Sequence, residues 1–241
     1  MMKIIKLIAI TPIILIEIVF ALAEIITASI TGIFGVIRTW FFKDYDYRRW
    51  LKRDLEDCDV ILELGCGSNS PLIQIGVSHR TDAVDIWQPY IDMHNRSGTY
   101  RHCNLGNLLN LNTDDKYDAV VICDVLEHLK KEDVDATMLF AKLEAIATKK
   151  IILFTPNGYV DNDEVDGDPF QKHLSAWEPE DFTSRGYKVV GATGLRWLFG
   201  KASRPKYHPY SVCSIIGMLS EPLVYHRPKL AWHSYAVKEL S

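Results

Sequence analysis

The sequence has few cysteines and no excess of positive charge. Its five cysteines are scattered, odd in number and without a Cys-x-x-Cys pair, which argues against a disulfide framework or a zinc site. The 27 Lys and Arg residues face 31 Asp and Glu residues, for a net charge of −4, so a nucleic-acid partner is not expected. The 241 residues contain no internal repeat and no low-complexity tract, and their number suits one catalytic domain with a modest extension.

The long apolar run of the chain lies at the N-terminus, at residues 7–37, and contains two charged residues, Glu17 and Glu24. A run of more than about 18 apolar residues can cross a bilayer as a helix. We therefore expect residues 1–42 to form an apolar helix that anchors the protein to a membrane, by spanning it, by lying in its interface or as a re-entrant hairpin. Such a helix could also pair with a second copy, which would make a homo-oligomer. A cleaved signal peptide and a buried core helix are the competing interpretations.

Positive charge is concentrated after the apolar run. Six Lys or Arg residues lie between positions 38 and 53, against Lys3 and Lys6 before the run. Because positively charged flanks stay on the cytoplasmic side of a membrane, the domain at 43–241 is expected to be membrane-associated and cytoplasmic. Trp40, Phe41 and Phe42 would then lie at the membrane interface, a depth that aromatic rings favour.

Beyond about residue 57, apolar runs of strand length alternate with helical patterns, which is typical of a parallel sheet covered on both faces. Seven strands are predicted, at 59–64, 83–86, 100–103, 117–123, 150–155, 188–192 and 231–237. One amphipathic helix is predicted within 132–148, and another starts near 178–181. The predicted fold is α/β, a seven-stranded, mostly parallel, Rossmann-like sheet with helices on both faces, preceded by the apolar N-terminal helix. Segment 194–230, rich in Pro and aromatic residues, is expected to be a lid or substrate insertion.

A glycine turn follows the first predicted strand, where DVILEL leads into GCGSNS. Gly65 and Gly67 occupy a strand-to-helix turn, where the backbone can approach a ligand closely. Ser70 and Pro71 suit the N-cap and first turn of the helix that follows. Asp85 ends the second predicted strand about 20 residues later, where a carboxylate can accept both hydroxyls of a ribose. These features predict a nucleotide-like cofactor.

Three segments together resemble the class I, Rossmann-like S-adenosylmethionine-dependent methyltransferases. They are ELGCG at 63–67, AVDIW around Asp85 and YDAVVICDVLEHL at 117–129. The resemblance is closest to the small-molecule and quinone branch, in the style of methyltransferase type 11. It implies S-adenosylmethionine as the cofactor, bound by Glu63, Gly65, Cys66, Gly67, Asp85, Ile86, Asn104, Leu105, Asp124 and Val125. Asn69 and Asn104 stand where members often have Gly and Asp, and Asn can serve in both places.

The resemblance puts Asp124, Glu127 and His128 near the reaction centre. His128 is the candidate general base, because an imidazole titrates near neutrality, and packing beneath the cofactor is its alternative role. Similar residues hold a divalent metal in some quinone O-methyltransferases. Adjacent Glu127 and His128 would point in different directions on a helix, so no metal site is predicted. The strand is not followed by NPPY or DPPY, which disfavours N-methylation of adenine or glutamine.

The loop after the fifth predicted strand is expected to face the substrate. His173 and Trp177 in this loop are predicted substrate-pocket residues, and Trp177 could instead anchor a lid in the domain. The acceptor is predicted to be a small, lipophilic or lipid-linked molecule, because of the apolar N-terminus and the sequence PYSVCSIIGMLSEPLVY at 209–225. The alternative functions are an NAD-dependent oxidoreductase and a non-catalytic, membrane-bound cofactor-binding scaffold.

Overall fold

The computed structural model describes residues 42–162 and 167–240. The predicted N-terminal apolar helix, with the membrane anchor and oligomer contact expected of it, lies outside these residues except for Phe42. Within the two described ranges, no helix is long and apolar enough to cross a bilayer.

A seven-stranded sheet forms the centre of the fold. Its strands are β1 (Ile61–Leu64), β2 (Thr81–Asp85), β3 (His102–Leu105), β4 (Tyr117–Cys123), β5 (Ala147–Pro156), β6 (Lys188–Leu195) and β7 (Ala231–Glu239). Their order across the sheet is β3-β2-β1-β4-β5-β7-β6. The pairings from β3 to β5 are parallel, whereas β7 is antiparallel to both β5 and β6. The sheet is therefore mixed, with β7 running against the other six strands.

Helices cover both faces of the sheet. They are α1 (Tyr47–Asp54), α2 (Pro71–Gln74), α3 (Gln88–Ser97), α4 (Lys131–Ala136), α5 (Leu139–Ile146), α6 (Pro179–Thr183), α7 (Tyr210–Leu219) and α8 (Glu221–His226). The central strand β4 has an almost continuously apolar sequence because both of its faces are covered. Val121 packs with Leu51 of α1 on one face, and Val120 packs with Leu143 of α5 on the other. Successive strand residues point to opposite faces, so both sets must be apolar.

All seven predicted strands are present, with ends that differ by at most three residues, and the helix expected near 178–181 is α6. The helix predicted within 132–148 is instead divided into α4 and α5. Met138 at the break has a left-handed backbone, with φ of 52°, and the last two predicted helical residues belong to β5. Apolar spacing reports which face of a helix is buried, and it cannot report a break that preserves this face.

Segment 194–230 is folded against the edge strand β6. A Cβ on Gly191 of β6 would overlap the backbone of Val224 in α8. A Cβ on Gly194 would lie 2.6 Å from the carbonyl oxygen of Gly217 in α7. These approaches bring backbone against backbone, so α7 and α8 pack closely against β6, which requires glycine at both positions.

Candidate active site

A cleft opens at the carboxyl ends of the parallel strands, where open α/β sheets bind their ligands. Its volume is about 350 Å³, within the range of small-molecule pockets. The turns after β1, β2, β3 and β4 line it with residues 64–71, 84–86, 106–108 and 123–125. Seven predicted cofactor residues meet here: Gly65, Cys66, Gly67, Asp85, Ile86, Asp124 and Val125.

The turn after β1 depends on two glycines with left-handed backbones, Gly65 with φ of 84° and Gly67 with φ of 52°. The Gly65 N–H donates to the carbonyl of Val84 (2.7 Å), and the Gly67 N–H donates to Oδ2 of Asp85 (2.9 Å). A Cβ on Gly65 would overlap Cγ2 of Val125, whereas a Cβ on Gly67 would have nothing within 4 Å. Position 65 therefore requires glycine for both conformation and space, and position 67 for conformation alone.

Glu63 supports this turn from behind and lies outside the cleft lining. Its side chain is 1% exposed and accepts hydrogen bonds from the hydroxyls of Ser70 and Tyr100, the second at 2.8 Å. Burial raises the pKa of Glu63 to about 7, although both hydroxyls act to lower it. Glu63 was predicted to bind cofactor directly. Because β1 is covered on both faces, its side chain points into the interior and holds the helix that starts after Ser70.

Asp85 joins the first two turns of the cleft. Its Oδ2 accepts the Gly67 N–H, and its Oδ1 accepts the Trp87 N–H at 2.8 Å. Burial raises the pKa of Asp85, and the two backbone donors act to lower it. Each carboxylate oxygen has a second lone pair, so the side chain can hold the turn and still accept hydroxyls from a ligand in the cleft.

Asn104 and Leu105, predicted to bind cofactor, lie in β3 and outside the cleft lining. The next three residues, 106–108, line it instead. The Gly106 N–H donates to the carbonyl of Asp85 (2.9 Å), which turns the chain toward the cleft. Asn107 is the polar residue that this loop contributes, with its side chain accepting the Leu109 N–H at 2.9 Å. The prediction was displaced because β3 ends at position 105, two residues later than expected.

Asp124 follows β4 and lies between two cavities. Its φ is 52°, a left-handed conformation that is uncommon for residues other than glycine. Its side chain lines both the cofactor cleft and a second cavity of about 410 Å³. Water reaches 47% of the side chain through these openings, yet its depth in the protein raises the pKa of Asp124 to about 7. Asp124 thus marks the junction of the two spaces.

The second cavity, here called the acceptor cavity, shares three residues with the cleft: Asp124, His128 and Gln171. One wall is a stack of three rings, in which Phe154 lies between Tyr47 and His233, with centroid distances of 4.1 and 4.5 Å. The rest of the lining is Glu127, Pro156, Val160, Asn162, His173, Thr193 and Ser203. The cavity therefore combines a flat apolar wall with a cluster of carboxylates and imidazoles.

Three side chains that could hold a metal ion converge in the acceptor cavity. Glu127, His128 and His173 each have a donor atom within 4.8 Å of the others. Nδ1 of His128 faces the Lys172 carbonyl (3.3 Å), and Nδ1 of His173 faces the Val160 carbonyl (2.6 Å). A carbonyl can only accept, so both Nδ1 atoms carry the proton and both Nε2 atoms keep a lone pair. Metal-binding histidines show the same backbone support.

The prediction of no metal site places Glu127 and His128 on a helix. They lie instead in a 3-10 turn, Leu126–His128, and His173 reaches them from the loop after β5. Different side-chain directions on a helix therefore do not separate the donors, and the prediction of no metal site loses its physical basis.

The electrostatics of these residues suit a cation. Burial and the charge of Asp124 raise the pKa of Glu127, whose carboxylate also accepts the hydroxyl of Thr155 (2.9 Å). Burial and the neighbouring His173 lower the pKa of His128 to about 4. Neutral imidazoles are the form that binds metal ions. The buried carboxylate of Glu127 is costly in its ionised form without a positive partner, and a divalent cation would supply one.

His233 closes the acceptor cavity from β7. Its Nε2 is 3.6 Å from Oδ1 of Asp124, and its Nδ1 is 2.6 Å from the hydroxyl of Thr193. Burial, with a smaller effect of His173, lowers the pKa of His233 to about 3. Thr193 has a left-handed backbone, with φ of 64°, where the pairing of β6 with β7 shifts. Sequence reasoning missed both residues, and the one signal was a polar His within the apolar strand AWHSYAV.

Trp177, predicted as a substrate residue, lies in the core. It is 1% exposed, and its indole N–H donates to the Leu126 carbonyl (3.0 Å) and to the Ser175 hydroxyl (2.9 Å). Its ring stacks on Phe182 of α6, with 5.6 Å between centroids. Trp177 therefore fixes the turn that carries Glu127, without lining the acceptor cavity.

Comparisons with known proteins found one matching family model and similar solved structures. Residues 62–142 match the sequence model of a methyltransferase domain. Among solved structures, the methyltransferase domain of bacterial CtHen1-CN aligns with a TM-score of 0.50 at 14% identity, over 82% of this chain and 99% of that one. The magnesium protoporphyrin IX methyltransferase of Synechocystis PCC 6803 with bound SAM gives 0.48 at 16% identity, over 85% and 82%. A SAM-dependent methyltransferase from Archaeoglobus fulgidus gives 0.47 at 16% identity, over 86% and 99%.

Among the curated proteins, no match was found. The matched segment 62–142 extends from β1 into α5 and contains the glycine turn, Asp85, Asp124 and Glu127. The structural likeness is one of fold. The segment that carried the sequence resemblance is thus the segment that builds the cofactor cleft and one side of the acceptor cavity.

Proposed function

We propose that this chain, a class I, Rossmann-like methyltransferase that depends on S-adenosylmethionine, methylates a hydroxyl group of a small molecule bound in the acceptor cavity. One observation carries the proposal: the cofactor cleft joins a cavity in which Glu127, His128 and His173 converge. Methyl transfer is an in-line displacement, so donor and acceptor must be held near contact distance. The junction beside Asp124 offers such a meeting point.

A divalent cation is part of this proposal. Glu127, His128 and His173 would hold it through one carboxylate oxygen and two Nε2 atoms. A mixed nitrogen and oxygen donor set suits zinc, manganese or iron better than calcium. When bound, such a cation lowers the pKa of a coordinated hydroxyl, as it does for water. A hydroxyl acceptor gains most from this, because it must lose its proton when it is methylated. In this role His128 orients the acceptor without titrating, and its role as a general base stays a prediction.

The chain's own residues would position both partners. Asp85 would accept the ribose hydroxyls, and the backbone around Gly65 would meet the amino-acid end of the cofactor, which supplies a methyl group on a sulfonium. The ring stack of Tyr47, Phe154 and His233 would hold a flat apolar body. Ionised Asp124, at the junction, would take up the hydroxyl proton.

A lipophilic or lipid-linked acceptor is the finer part of the proposal. Phe154, Pro156 and Val160 give the acceptor cavity an apolar side. The apolar sequence at 7–37 would hold the catalytic domain at the cytoplasmic face of a membrane, where such an acceptor is concentrated. The same sequence could pair two copies of the chain.

Transfer of radiolabel from S-adenosylmethionine tests the function. Full-length protein is incubated with a membrane lipid extract and, separately, with simple catechols as water-soluble hydroxyl probes, with Mn²⁺ or with EDTA. We expect label in an alkali-stable ether, loss of turnover in EDTA, and turnover reduced at least about 10-fold in Glu127→Gln and His173→Ala, because changes to the outer-shell partners of metal ligands alone cost about 10–100-fold. Affinity for S-adenosylhomocysteine should be retained in both variants. His79→Ala removes an exposed histidine outside both cavities and serves as the matched control.

Other outcomes would contradict particular parts of the proposal. Full turnover in EDTA, together with full turnover of His173→Ala, would contradict a role for the cation in the reaction. Label found only on nitrogen or carbon would show that the acceptor group is not a hydroxyl. Transfer to catechols but never to lipid-extract molecules would contradict a lipophilic acceptor. Calorimetric binding of NADH in place of S-adenosylhomocysteine would favour the oxidoreductase alternative.

A further inference from the structure

Segment 196–230 differs in charge from the rest of the chain. It contains six Lys and Arg residues and one acidic residue, Glu221, so its net charge is +5 in a chain whose total is −4. Glu221 is buried. Five of the six cations are exposed: Lys201, Arg204, Lys206, Arg227 and Lys229. Lys229 is paired with Glu180 (2.6 Å) and Lys201 with Asp161 (3.6 Å), so the positive charge of this surface rests mainly on Arg204, Lys206 and Arg227.

The same segment exposes large apolar side chains. Val212, Ile216 and Leu219 are spaced four and three residues apart on α7, so they share one side of the helix. The opposite side is buried, with the ring of Phe199 against Gly217. The large apolar side chains that segment 196–230 exposes are here called the apolar face; they are Trp197, Tyr207, Tyr210, Val212, Ile216, Leu219, Leu223 and Leu230.

The N-terminal part of the chain reaches the domain beside this face. The described residues begin at Phe42, and the ring of Tyr45 packs edge-on against Tyr225 of α8, with 5.8 Å between centroids. Trp50 of α1 packs against the same ring at 5.2 Å. The apolar sequence at 7–37 therefore ends a few residues before a contact with α8, which also carries part of the apolar face.

We propose that the apolar face seats the catalytic domain on an anionic lipid bilayer. Aliphatic and aromatic side chains among exposed cations are the composition of interfacial segments, in which apolar burial and attraction to anionic lipids act together. Thr193 and Ser203, on either side of Trp197 in sequence, line the acceptor cavity. Ser203 belongs to segment 196–230 and Thr193 precedes the segment by three residues, so this segment contributes to the cavity lining. The inference concerns membrane contact, and it holds or fails independently of which atom is methylated.

A fluorescent label on the full-length chain tests the seating. Leu219→Cys places an environment-sensitive bimane on the apolar face, and Met138→Cys places it at an exposed apolar position between α4 and α5 as the matched control. The five native cysteines are buried, so the label goes to the new thiol. Vesicles of phosphatidylcholine with about 30% phosphatidylserine should shift the emission at position 219 to the blue and leave position 138 unchanged.

Three other results would overturn the proposal. Emission from position 219 that is already blue-shifted without vesicles means that residues 1–41 or a second copy cover the face. Co-flotation with vesicles without a shift at position 219 means that another part of the chain makes the membrane contact. Equal emission shifts at positions 219 and 138 mean that the domain does not contact the membrane through one particular face.

Charge variants supply a second readout. Each Lys or Arg near an anionic surface strengthens binding about fivefold, so Lys206→Gln with Arg227→Gln should weaken vesicle binding about 25-fold. Lys149→Gln with Lys188→Gln removes two cations outside the segment and should leave binding within about twofold. Equal losses in both pairs would contradict a specific role for this face.

Discussion

Replacement of Gly65 or Gly67 by Ala separates space from backbone conformation in the cofactor turn. Both glycines have left-handed backbones, so Ala costs about 1–2 kcal/mol at either position. At Gly65 the new Cβ would also overlap Cγ2 of Val125 and lie 3.1 Å from its Cγ1. Overpacking costs roughly 1–3 kcal/mol. Gly65→Ala should therefore lower the free energy of unfolding by about 2–5 kcal/mol, against about 1–2 kcal/mol for Gly67→Ala.

Thermal unfolding and titration with S-adenosylhomocysteine measure these effects. In a domain of this size, 1 kcal/mol corresponds to about 2–4 °C in Tm, so Gly65→Ala should melt roughly 2–12 °C below Gly67→Ala. Movement of Val125 would also displace its neighbour Asp124 in the cleft. We therefore expect Gly65→Ala to bind S-adenosylhomocysteine about 100-fold more weakly than the wild type, a loss of about 3 kcal/mol.

A double variant tests the cause directly. Gly65→Ala with Val125→Ala removes the methyl groups that the new Cβ would overlap, so it should melt above Gly65→Ala alone and recover part of the affinity. The reasoning is refuted if Gly65→Ala and Gly67→Ala melt together, or if the double variant is no more stable than Gly65→Ala.

Three further predictions concern single side chains. Asp85→Asn turns an amide NH₂ toward one of two backbone donors, so calorimetry should show S-adenosylhomocysteine binding at least about 10-fold weaker and a Tm lower by about 2–12 °C; unchanged affinity would contradict this. Glu63 has a folded pKa of about 7 against an ordinary 4.5, so the protein should lose up to about 3 kcal/mol of stability as pH rises from 4.5 to 7. Across that window the Tm of the wild type should fall relative to that of Glu63→Gln, and parallel curves would count against the burial argument. Trp177→Phe removes the N–H shared by Leu126 and Ser175, so it should lower the Tm by about 2–12 °C without raising the acceptor KM; a raised KM at unchanged Tm would restore the substrate role.

The cofactor turn could be predicted from the sequence because its parts are local. Gly65, Gly67 and Ser70 lie within six residues after one strand, and each has a backbone reason for its identity. Asp85 followed from the alternation of strands, since parallel strands end at the same edge of the sheet. Asn107, by contrast, was not predicted as a site residue. Its place depends on where β3 stops pairing with β2, and local sequence determines strand ends poorly.

The donor cluster of the acceptor cavity could not be predicted in the same way. Whether Glu127 and His128 can act together depends on the type of turn that follows β4, and the directions of their side chains were judged as if both lay on a helix. His173 arrives from a loop more than 40 residues later in the chain. The carbonyls of Lys172 and Val160 then determine which imidazole nitrogens keep a lone pair. The turn type, the approach of His173 and the contacts with these two carbonyls all lack a signature in local composition.

Backbone conformation explains why His233 and Thr193 escaped prediction. Asp124 and Thr193 face this imidazole through a contact of 3.6 Å and a hydrogen bond of 2.6 Å, and both have left-handed backbones. Each such residue costs about 1–3 kcal/mol, and a β-branched Thr has little freedom to relieve the cost. The fold sustains them because β7 pairs with β5 on one side and with β6 on the other, and because Gly194 allows α7 to pack closely where the pairing of β6 with β7 shifts. Asp124 was predicted from the family resemblance, whereas a left-handed backbone at a β-branched Thr runs against propensity rules, so Thr193 and the imidazole beside it were missed. Two costly conformations that converge on one buried, neutral imidazole beside the cofactor cleft are what a site requires when the position of a ring matters more than local stability.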